Sequence, residues 1–502
     1  MGKVRSLPII VLTTALSASI NVNAEDRPVA RWYRIATESG VAVGYASEQT
    51  VIWDHGRQII AEQEIDAGEE HVPRLLTPWE NVSQPMTITR RVIRTEEPAG
   101  KTLSISAELR IGREWRRDVV HIRPASAEVV HQTAFDTRIG DVPLHEGVRF
   151  DDGDGLLRGR DNKVMKNLEF QNFNLASLSI DDVTIEPASS FPVNASGMIT
   201  LLRRCYQDGK LVEIEWLALD AQGEIRKIIQ PTFGSHITFE ETDKDTALRR
   251  HSIYRALPNV MTKSLYRISQ TAMHGHIRYG FAFRDGLAFE IPQTGEQAVH
   301  QDNGTATLDI CEGCGPGLPT DLQYLADARK PTAWLQSDRP PLKKVADPIA
   351  KLAVSDSKKM EMLLQEARPY LGNVDFTGHF SALETMSRRS GDCTEAAVLL
   401  AALGRAAGIP TRVANGLVYS RESYHGISNA WMPHSWTLAW VDGHWRSFDL
   451  ALDKFDSTHI ALTIGDGDER SLLTASQLAG LLRWDSMAEI RTAAPAGAGT
   501  SP

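Results

Sequence analysis

The sequence is poor in cysteine, in long apolar runs and in excess positive charge. Its 4 cysteines among 502 residues are too few for the disulfide-dense scaffold of a small secreted domain. A formal net charge of -10 argues against a nucleic-acid partner. After residue 24 no apolar run is long enough to cross a bilayer, so no membrane span is expected.

The first 24 residues have the pattern of a secretory signal peptide. Lys3 and Arg5 give a positive start, residues 7–20 are mostly apolar, and Val22-Asn23-Ala24 fits a small-residue cleavage site. The remainder is therefore expected to be periplasmic or secreted, most simply in a bacterial periplasm. No cysteine follows the predicted cleavage site, so a lipoprotein anchor is not indicated.

The pattern of apolar and polar residues changes along the sequence, which predicts a multidomain chain. Up to about residue 315, apolar and polar residues alternate between turns, which is typical of antiparallel, sandwich-like β structure. We expect one large unit there, or two units spanning 25–175 and 176–315. A proline-rich linker follows at 316–344, and the periodicity then turns helical. Residues 345–490 are predicted to form an α+β domain, and 491–502 a disordered tail.

The four cysteines have different surroundings. Cys311 and Cys314 lie in the turn-like segment CEGCGPG, which favours a local disulfide; a thiol–disulfide enzyme using this pair is the alternative. A zinc site would need further ligands, and no second cysteine pair is present. Cys205 lies in a strand–turn–strand pattern typical of a small core residue. Cys393 is then left as an unexplained thiol.

Cys393 lies at the start of a long apolar segment, RSGDCTEAAVLLAALGRAAGIP. Asp392 and Glu395 have the spacing of a capping box, which predicts a helix with Cys393 in its first turn and a stop at Gly408. Unpaired N–H groups and the helix dipole favour a thiolate there and can stabilise an oxyanion. The alternative is a capped core helix that happens to begin with cysteine, because buried cysteines are common.

A second pattern lies in HSWTLAWVDGHWRSFDLA, residues 434–451. Asp442-Gly443 between alternating runs predicts a two-residue hairpin, which places Trp436 opposite Asp449. His434 and Asp449 are then diagonal neighbours with Cβ atoms about 7–8 Å apart. A histidine oriented by a carboxylate is the base that a cysteine nucleophile needs. The alternative is an exposed hairpin face that carries polar residues.

These segments resemble the three motifs of the transglutaminase-like superfamily: RRSGDCTEAAVLLAALGRAAGIPTRVANGLVY, HSWTLAWVDGHW and RSFDLA. The resemblance covers roughly residues 345–470 and implies a papain-like fold. By position, it implies that Cys393 is the nucleophile, that His434 is the general base and later the acid, and that Asp449 orients His434. One departure is Leu450, where many members of the family have proline after the aspartate.

The resemblance implies acyl transfer from an amide through a cysteine thioester. Water as the second acceptor gives hydrolysis of a protein or peptide substrate, which we favour, and an amine gives cross-linking. No cofactor and no metal is expected, and the oligomeric state is left open. The alternative is a non-catalytic periplasmic binding or assembly protein that carries a relic of the domain.

Overall fold

The computed structural model describes residues 30–72, 82–112, 114–150, 154–157, 164–232, 235–249, 251–252, 261–302, 304–374, 379–421 and 428–491. The predicted signal peptide, and the predicted tail beyond residue 491, lie outside them. Two compact units are present. The sheet unit takes its residues from Met1–Val260, Tyr370–Glu395 and Asp468–Gly480, and the second unit from Met261–Pro369, Ala396–Gly467 and Leu481–Pro502.

The sheet unit is built on one antiparallel sheet of 14 strands, in the order β8-β7-β6-β5-β4-β3-β2-β1-β14-β13-β12-β11-β10-β9. The strands are β1 (Ala30–Thr37), β2 (Ala42–Trp53), β3 (Gly56–Val72), β4 (Val82–Glu96), β5 (Thr102–Ile111), β6 (Glu114–Ile122), β7 (Ser126–Thr133), β8 (Thr137–Pro143), β9 (Leu168–Asn174), β10 (Ser179–Pro187), β11 (Ile199–Gln207), β12 (Lys210–Leu219), β13 (Ile225–Thr232) and β14 (Ser235–Thr242).

This sheet confirms the predicted antiparallel β region and shows how it is joined. Strand β1 pairs with β14, with Trp32 opposite Thr242, so the sheet is completed by a contact between distant parts of the chain. Position 175, the predicted division, falls in the loop between β9 and β10, which pair with each other. The sheet therefore continues through that position. Alternation marks individual strands but carries no information on which distant strands pair.

The remaining elements follow in chain order. The further strands are β15 (Thr262–Lys263), β16 (Ile277–Phe283), β17 (Gln297–Asp302), β18 (Thr305–Ile310), β19 (Asn373–Val374), β20 (Ser390–Gly391), β21 (Thr411–Ser420), β22 (Ala430–Val441), β23 (His444–Phe448), β24 (Ile460–Gly465) and β25 (Leu482–Glu489). The helices are α1 (Lys244–Ala247), α2 (Gln270–Met273), α3 (Leu322–Asp327), α4 (Pro340–Ala350), α5 (Asp356–Ala367), α6 (Ala382–Arg388), α7 (Cys393–Ala406) and α8 (Glu469–Gly480).

Helix α8 belongs to the sheet unit, although it follows the motif-bearing segment in sequence. Its Thr474 hydroxyl donates to the Val212 carbonyl at 2.6 Å, and its Gln477 Oε1 accepts the Ile214 N–H at 3.1 Å. Both contacts lie along β12. Cys205 lies on β11 within the sheet's apolar core, as predicted, and burial raises the pKa of its thiol.

The second unit contains two further sheets. One has the order β15-β22-β21-β24, with β23 paired to β22, and the other the order β17-β18-β16-β25. Cys311 and Cys314, just after β18, form the predicted disulfide. The segment predicted as a linker, 316–344, contains α3 and the start of α4. None of the helices in the described ranges is long and apolar enough to cross a membrane.

Candidate active site

The hairpin of β22 and β23 positions His434 and Asp449. Thr437 pairs with Phe448 and Val441 with His444, which confirms the register that Asp442-Gly443 predicts. Asp442 and Gly443 both have positive φ, 51° and 86°, as a two-residue turn of this kind requires. His434 lies within β22, and Asp449 is the first residue after β23.

His434 and Asp449 form a buried hydrogen-bonded pair within the second unit. His434 Nε2 lies 2.7 Å from Asp449 Oδ2, and the two residues are 4% and 1% exposed. A ring nitrogen this close to a carboxylate oxygen is the protonated one. In a neutral His434 the lone pair is therefore on Nδ1, which is the nitrogen that can accept a proton from a nucleophile.

Four donors hold the Asp449 carboxylate in one orientation. Its Oδ1 accepts the backbone N–H groups of Ala451 and Leu452 at 2.8 and 2.9 Å. Its Oδ2 accepts His434 and also His459, the latter at 2.9 Å. Burial alone would raise the pKa of Asp449, but the two histidines outweigh burial and hold that pKa well below its usual range. Asp449 is therefore a fixed anion.

His459 is the residue that sequence reasoning missed. It is 1% exposed and lies between two aspartates, with Nε2 on Asp449 and Nδ1 beside Asp456. Burial alone would lower its pKa, but the hydrogen bonds and charges of Asp449 and Asp456 raise it to about 9. The sequence feature that could have indicated His459 is its position three residues after Asp456 and just before an apolar strand.

Trp436 packs against both imidazoles. Its ring centroid lies 6.1 Å from that of His434 in a stacked arrangement, and 5.1 Å from that of His459 edge-on. Its Nε1 donates to Ser447 Oγ at 3.3 Å, and Ser447 in turn donates to the buried Glu296. The indole is 1% exposed and lies on the same hairpin face as His434 and Asp449, as the register predicts.

His434, Asp449 and His459 are residue types that can bind zinc. The distances between their nitrogen and oxygen atoms distinguish a zinc site from a hydrogen-bond network. Ligand atoms around a tetrahedral zinc lie roughly 3.3 Å apart, given metal–ligand bonds of about 2.0 Å. The two nitrogen–oxygen separations here, 2.7 and 2.9 Å, are hydrogen-bond lengths. A second group, His276 with Cys311 and Cys314, has both sulfurs in the disulfide. We interpret the first group as a hydrogen-bond network.

Cys393 belongs to the sheet unit and is the first residue of α7. Asp392 caps this helix, because its Oδ1 accepts the Thr394 N–H at 2.7 Å. Glu395 reaches back to the Asp392 N–H at 2.9 Å, which is one half of the expected capping box. The other half differs, since Asp392 bonds the N–H of Thr394 where the capping box would use that of Glu395.

Glu395 fixes the turn that leads to Cys393. Its carboxylate accepts the backbone N–H groups of Phe380 and Asp392, both at 2.9 Å. Burial and the neighbouring Asp392 raise the pKa of Glu395 well above its usual range. A Cβ at Gly391 would lie 2.5 Å from the Glu395 Cβ, so only glycine fits at that position. The turn before Cys393 is therefore tightly packed.

Comparison with known proteins identifies the region around these residues. Residues 343–450 match the transglutaminase-like superfamily. The chain carries a transglutaminase-like domain. This match contains Cys393, His434 and Asp449 and confirms the resemblance seen in the sequence. No curated protein is a detectable relative of the chain.

Three solved structures are similar to this chain at low sequence identity. A β-barrel-like protein with a domain of unknown function from Brucella abortus is 9% identical; the alignment covers 43% of this chain and 96% of that one, with a TM-score of 0.30. A candidate cysteine protease from Cytophaga hutchinsonii is 15% identical; the alignment covers 43% of this chain and 86% of that one, with a TM-score of 0.26. The periplasmic domain of TgpA from Pseudomonas aeruginosa, bound to ethylmercury, is 15% identical; the alignment covers 45% of this chain and 83% of that one, with a TM-score of 0.26.

Proposed function

We propose that this protein is a periplasmic or secreted cysteine enzyme that transfers an acyl group from an amide through a Cys393 thioester. Cys393 is the nucleophile, His434 is the general base and then the acid, and Asp449 orients His434. The observation that carries this proposal is the buried hydrogen bond between His434 Nε2 and Asp449. That bond leaves the lone pair of a neutral His434 on Nδ1, ready to accept the proton of a thiol.

The proposed reaction has two halves. His434 Nδ1 takes the thiol proton, and the Cys393 sulfur attacks the amide carbonyl carbon. Backbone N–H groups in the first turn of α7 stabilise the oxyanion of the tetrahedral intermediate. The protonated His434 then gives its proton to the departing amine, and the C–N bond breaks to leave a thioester. In the second half His434 removes a proton from water, which attacks the thioester and releases a carboxylic acid and the thiol.

Hydrolysis of a peptide or related amide is the preferred outcome. Water is abundant in the compartment that the signal-peptide pattern indicates, whereas cross-linking needs a bound amine acceptor. A protein or peptide is thus the proposed substrate, and the proposed reaction draws only on side chains and backbone groups of this chain.

The pH dependence of Cys393 alkylation by iodoacetamide tests the pairing. At pH 6 an ordinary thiol, with a pKa of about 8.5, is less than about 1% thiolate, whereas a thiolate–imidazolium pair is mostly ionised. We expect Cys393 to react on the order of 10-fold to 100-fold faster at pH 6 in the wild type than in His434→Ala, after allowing for the lower nucleophilicity of a low-pKa thiolate. Peptide mass spectrometry measures each cysteine separately.

Cys205 is the internal control, because it is a buried thiol whose pKa is raised. It should stay unreactive in both proteins, and reaction at Cys205 would report unfolding. Slow alkylation of Cys393 with an ordinary pKa in both proteins would contradict the proposal. That result would favour the non-catalytic binding or assembly protein.

A further inference from the structure

His459 is a second histidine on the carboxylate of the proposed triad, and the proposed mechanism assigns it no role. Its Nε2 lies 2.9 Å from the same Asp449 oxygen that binds His434. Its Nδ1 lies 3.0 Å from the backbone carbonyl oxygen of Asp456 and 3.2 Å from the Asp456 carboxylate. The two imidazoles meet edge to face, with ring centroids 5.3 Å apart. A buried histidine thus bridges two aspartates beside the proposed base.

Oxygen atoms face both ring nitrogens of His459. This arrangement indicates whether the ring is neutral or charged. A neutral ring has one nitrogen that donates and one that only accepts. A neutral Nδ1 could accept the Asp456 backbone N–H at 3.3 Å, but its lone pair would then face two oxygens at shorter distances. A protonated Nδ1 donates to those oxygens. The geometry therefore favours an imidazolium that donates from both nitrogens.

The titratable groups around His459 come from several elements. Asp449 follows β23, Asp456 precedes β24, His434 lies on β22, and Tyr279 on β16 donates its hydroxyl to the Ser457 carbonyl at 2.7 Å. Burial alone would raise the pKa of Asp456, but its contacts with His459 and Thr458 together outweigh burial and lower that pKa, so both aspartates are anions. The raised pKa of His459, about 9, is consistent with a cation between them.

We propose that His459 is a positively charged positioning residue that acts on His434 through Asp449. The inference rests on the proposed function, because its readout is the reactivity of the Cys393–His434 pair. His459 holds Asp449 Oδ2 in place while the backbone N–H groups hold Oδ1. Its charge also offsets part of the negative charge of Asp449, so protonated His434 is stabilised less. A His434 of this kind gives its proton to the leaving amine more readily.

The variant His459→Gln separates charge from hydrogen bonding, because the glutamine Nε2 can donate to Asp449 but carries no charge. If the proposed Cys393–His434 pair forms, we expect Cys393 alkylation against pH to show two inflections, one as the pair ionises and one at higher pH as the imidazolium loses its proton. Removing a cation about 5 Å from His434 should move the second inflection upward by roughly one to two pH units. The exposed His444 of the same hairpin gives the matched control, His444→Gln, which should leave both inflections unchanged.

Asp456→Asn gives an independent check in a protein that retains His459. The asparagine oxygen still accepts from Nδ1, but the carboxylate charge is lost, so His459 should lose its proton at a lower pH. The upper inflection of Cys393 alkylation should then lie between those of the wild type and His459→Gln.

A charged His459 also stabilises the folded state, fully below about pH 6.5 and less as the pH rises through 9. The stability difference between wild type and His459→Gln should shrink over that range.

The outcomes distinguish the two proposals. If Cys393 in the wild type reacts like an ordinary thiol, the proposed function fails, whereas the pH dependence of the stability difference still tests the charge of His459. If the wild type shows a Cys393–His434 pair but His459→Gln changes only the amplitude of alkylation, the hydrogen bond alone matters and the charge inference is overturned. Stoichiometric zinc in the purified protein, with a profile that changes on chelation, would also overturn it.

Discussion

Replacing Asp449 with asparagine is expected to lower kcat/KM for hydrolysis of a p-nitrophenyl ester by about 100-fold or more, a typical effect of disabling a general acid–base group. The substitution keeps the shape of the side chain but replaces one acceptor oxygen with an amide that donates. All four partners of Asp449 are donors: His434 and His459 on Oδ2, and the N–H groups of Ala451 and Leu452 on Oδ1. In either orientation, the asparagine side-chain NH2 group faces N–H donors and hydrogen bonds are lost. The carboxylate that holds His434 in one tautomer is then absent.

The matched control for this substitution is Asp453→Asn. Asp453 is exposed, lies in the same loop and pairs with Arg368 at 2.5 Å. Its φ of 71° is a conformation that asparagine tolerates well. Asp453→Asn should keep wild-type activity. Ester hydrolysis that is equal in Asp449→Asn and Asp453→Asn would show that Asp449 does not orient the base.

Replacing Arg470 with methionine is expected to destabilise the sheet unit by about 3–5 kcal/mol, the usual cost of breaking a buried ion pair by removing one partner. Arg470, on α8, donates to Asp181 of β10 at 2.7 and 2.5 Å and to Ser177 at 2.9 Å. Its guanidinium also lies 3.6 Å from Glu213, whose own pKa burial raises to about 8. Without the arginine, two buried carboxyl groups lose their cation. Urea unfolding, followed by circular dichroism, measures the loss.

Arg491→Met is the control for this prediction, because Arg491 is 83% exposed and its contact with Glu489 is long, at 3.5 Å. It should change the unfolding free energy by no more than about 0.5 kcal/mol. A loss below about 1 kcal/mol in Arg470→Met would mean that the methionine replaces the ion pair by packing alone, as happens in some proteins when hydrophobic residues replace buried charges.

Local patterns predicted the features of this chain that depend on nearby residues. The hairpin of β22 and β23 follows from Asp442-Gly443, because a two-residue turn fixes the register of both strands. That register places His434 diagonal to Asp449, and the two side chains are in contact. The helix that starts at Cys393 follows from the acidic residues on either side of it. In each case a few adjacent residues determine the geometry.

Features made by distant residues could not be predicted in the same way. Pairing of β1 with β14 joins residues that are 200 or more positions apart, and no local pattern specifies it. Helix α8 packs on β12 through Thr474 and Gln477, although it follows the matched family region. His459 was missed because it lies beyond the hairpin, where strand register gives no position. Its contact with Asp449 depends on the loop that holds Asp456.

The measurement that tests the central claim most directly is the detection of an acyl group on Cys393. The protein is mixed with p-nitrophenyl acetate, quenched in acid at short times, digested and analysed by mass spectrometry. We predict an acetyl thioester on the peptide that contains Cys393. It should form quickly in the wild type, disappear with time and be removed by hydroxylamine, while Cys205 stays unmodified. Absence of an acetylated Cys393, or equal acetylation in wild type and His434→Ala, would contradict the account.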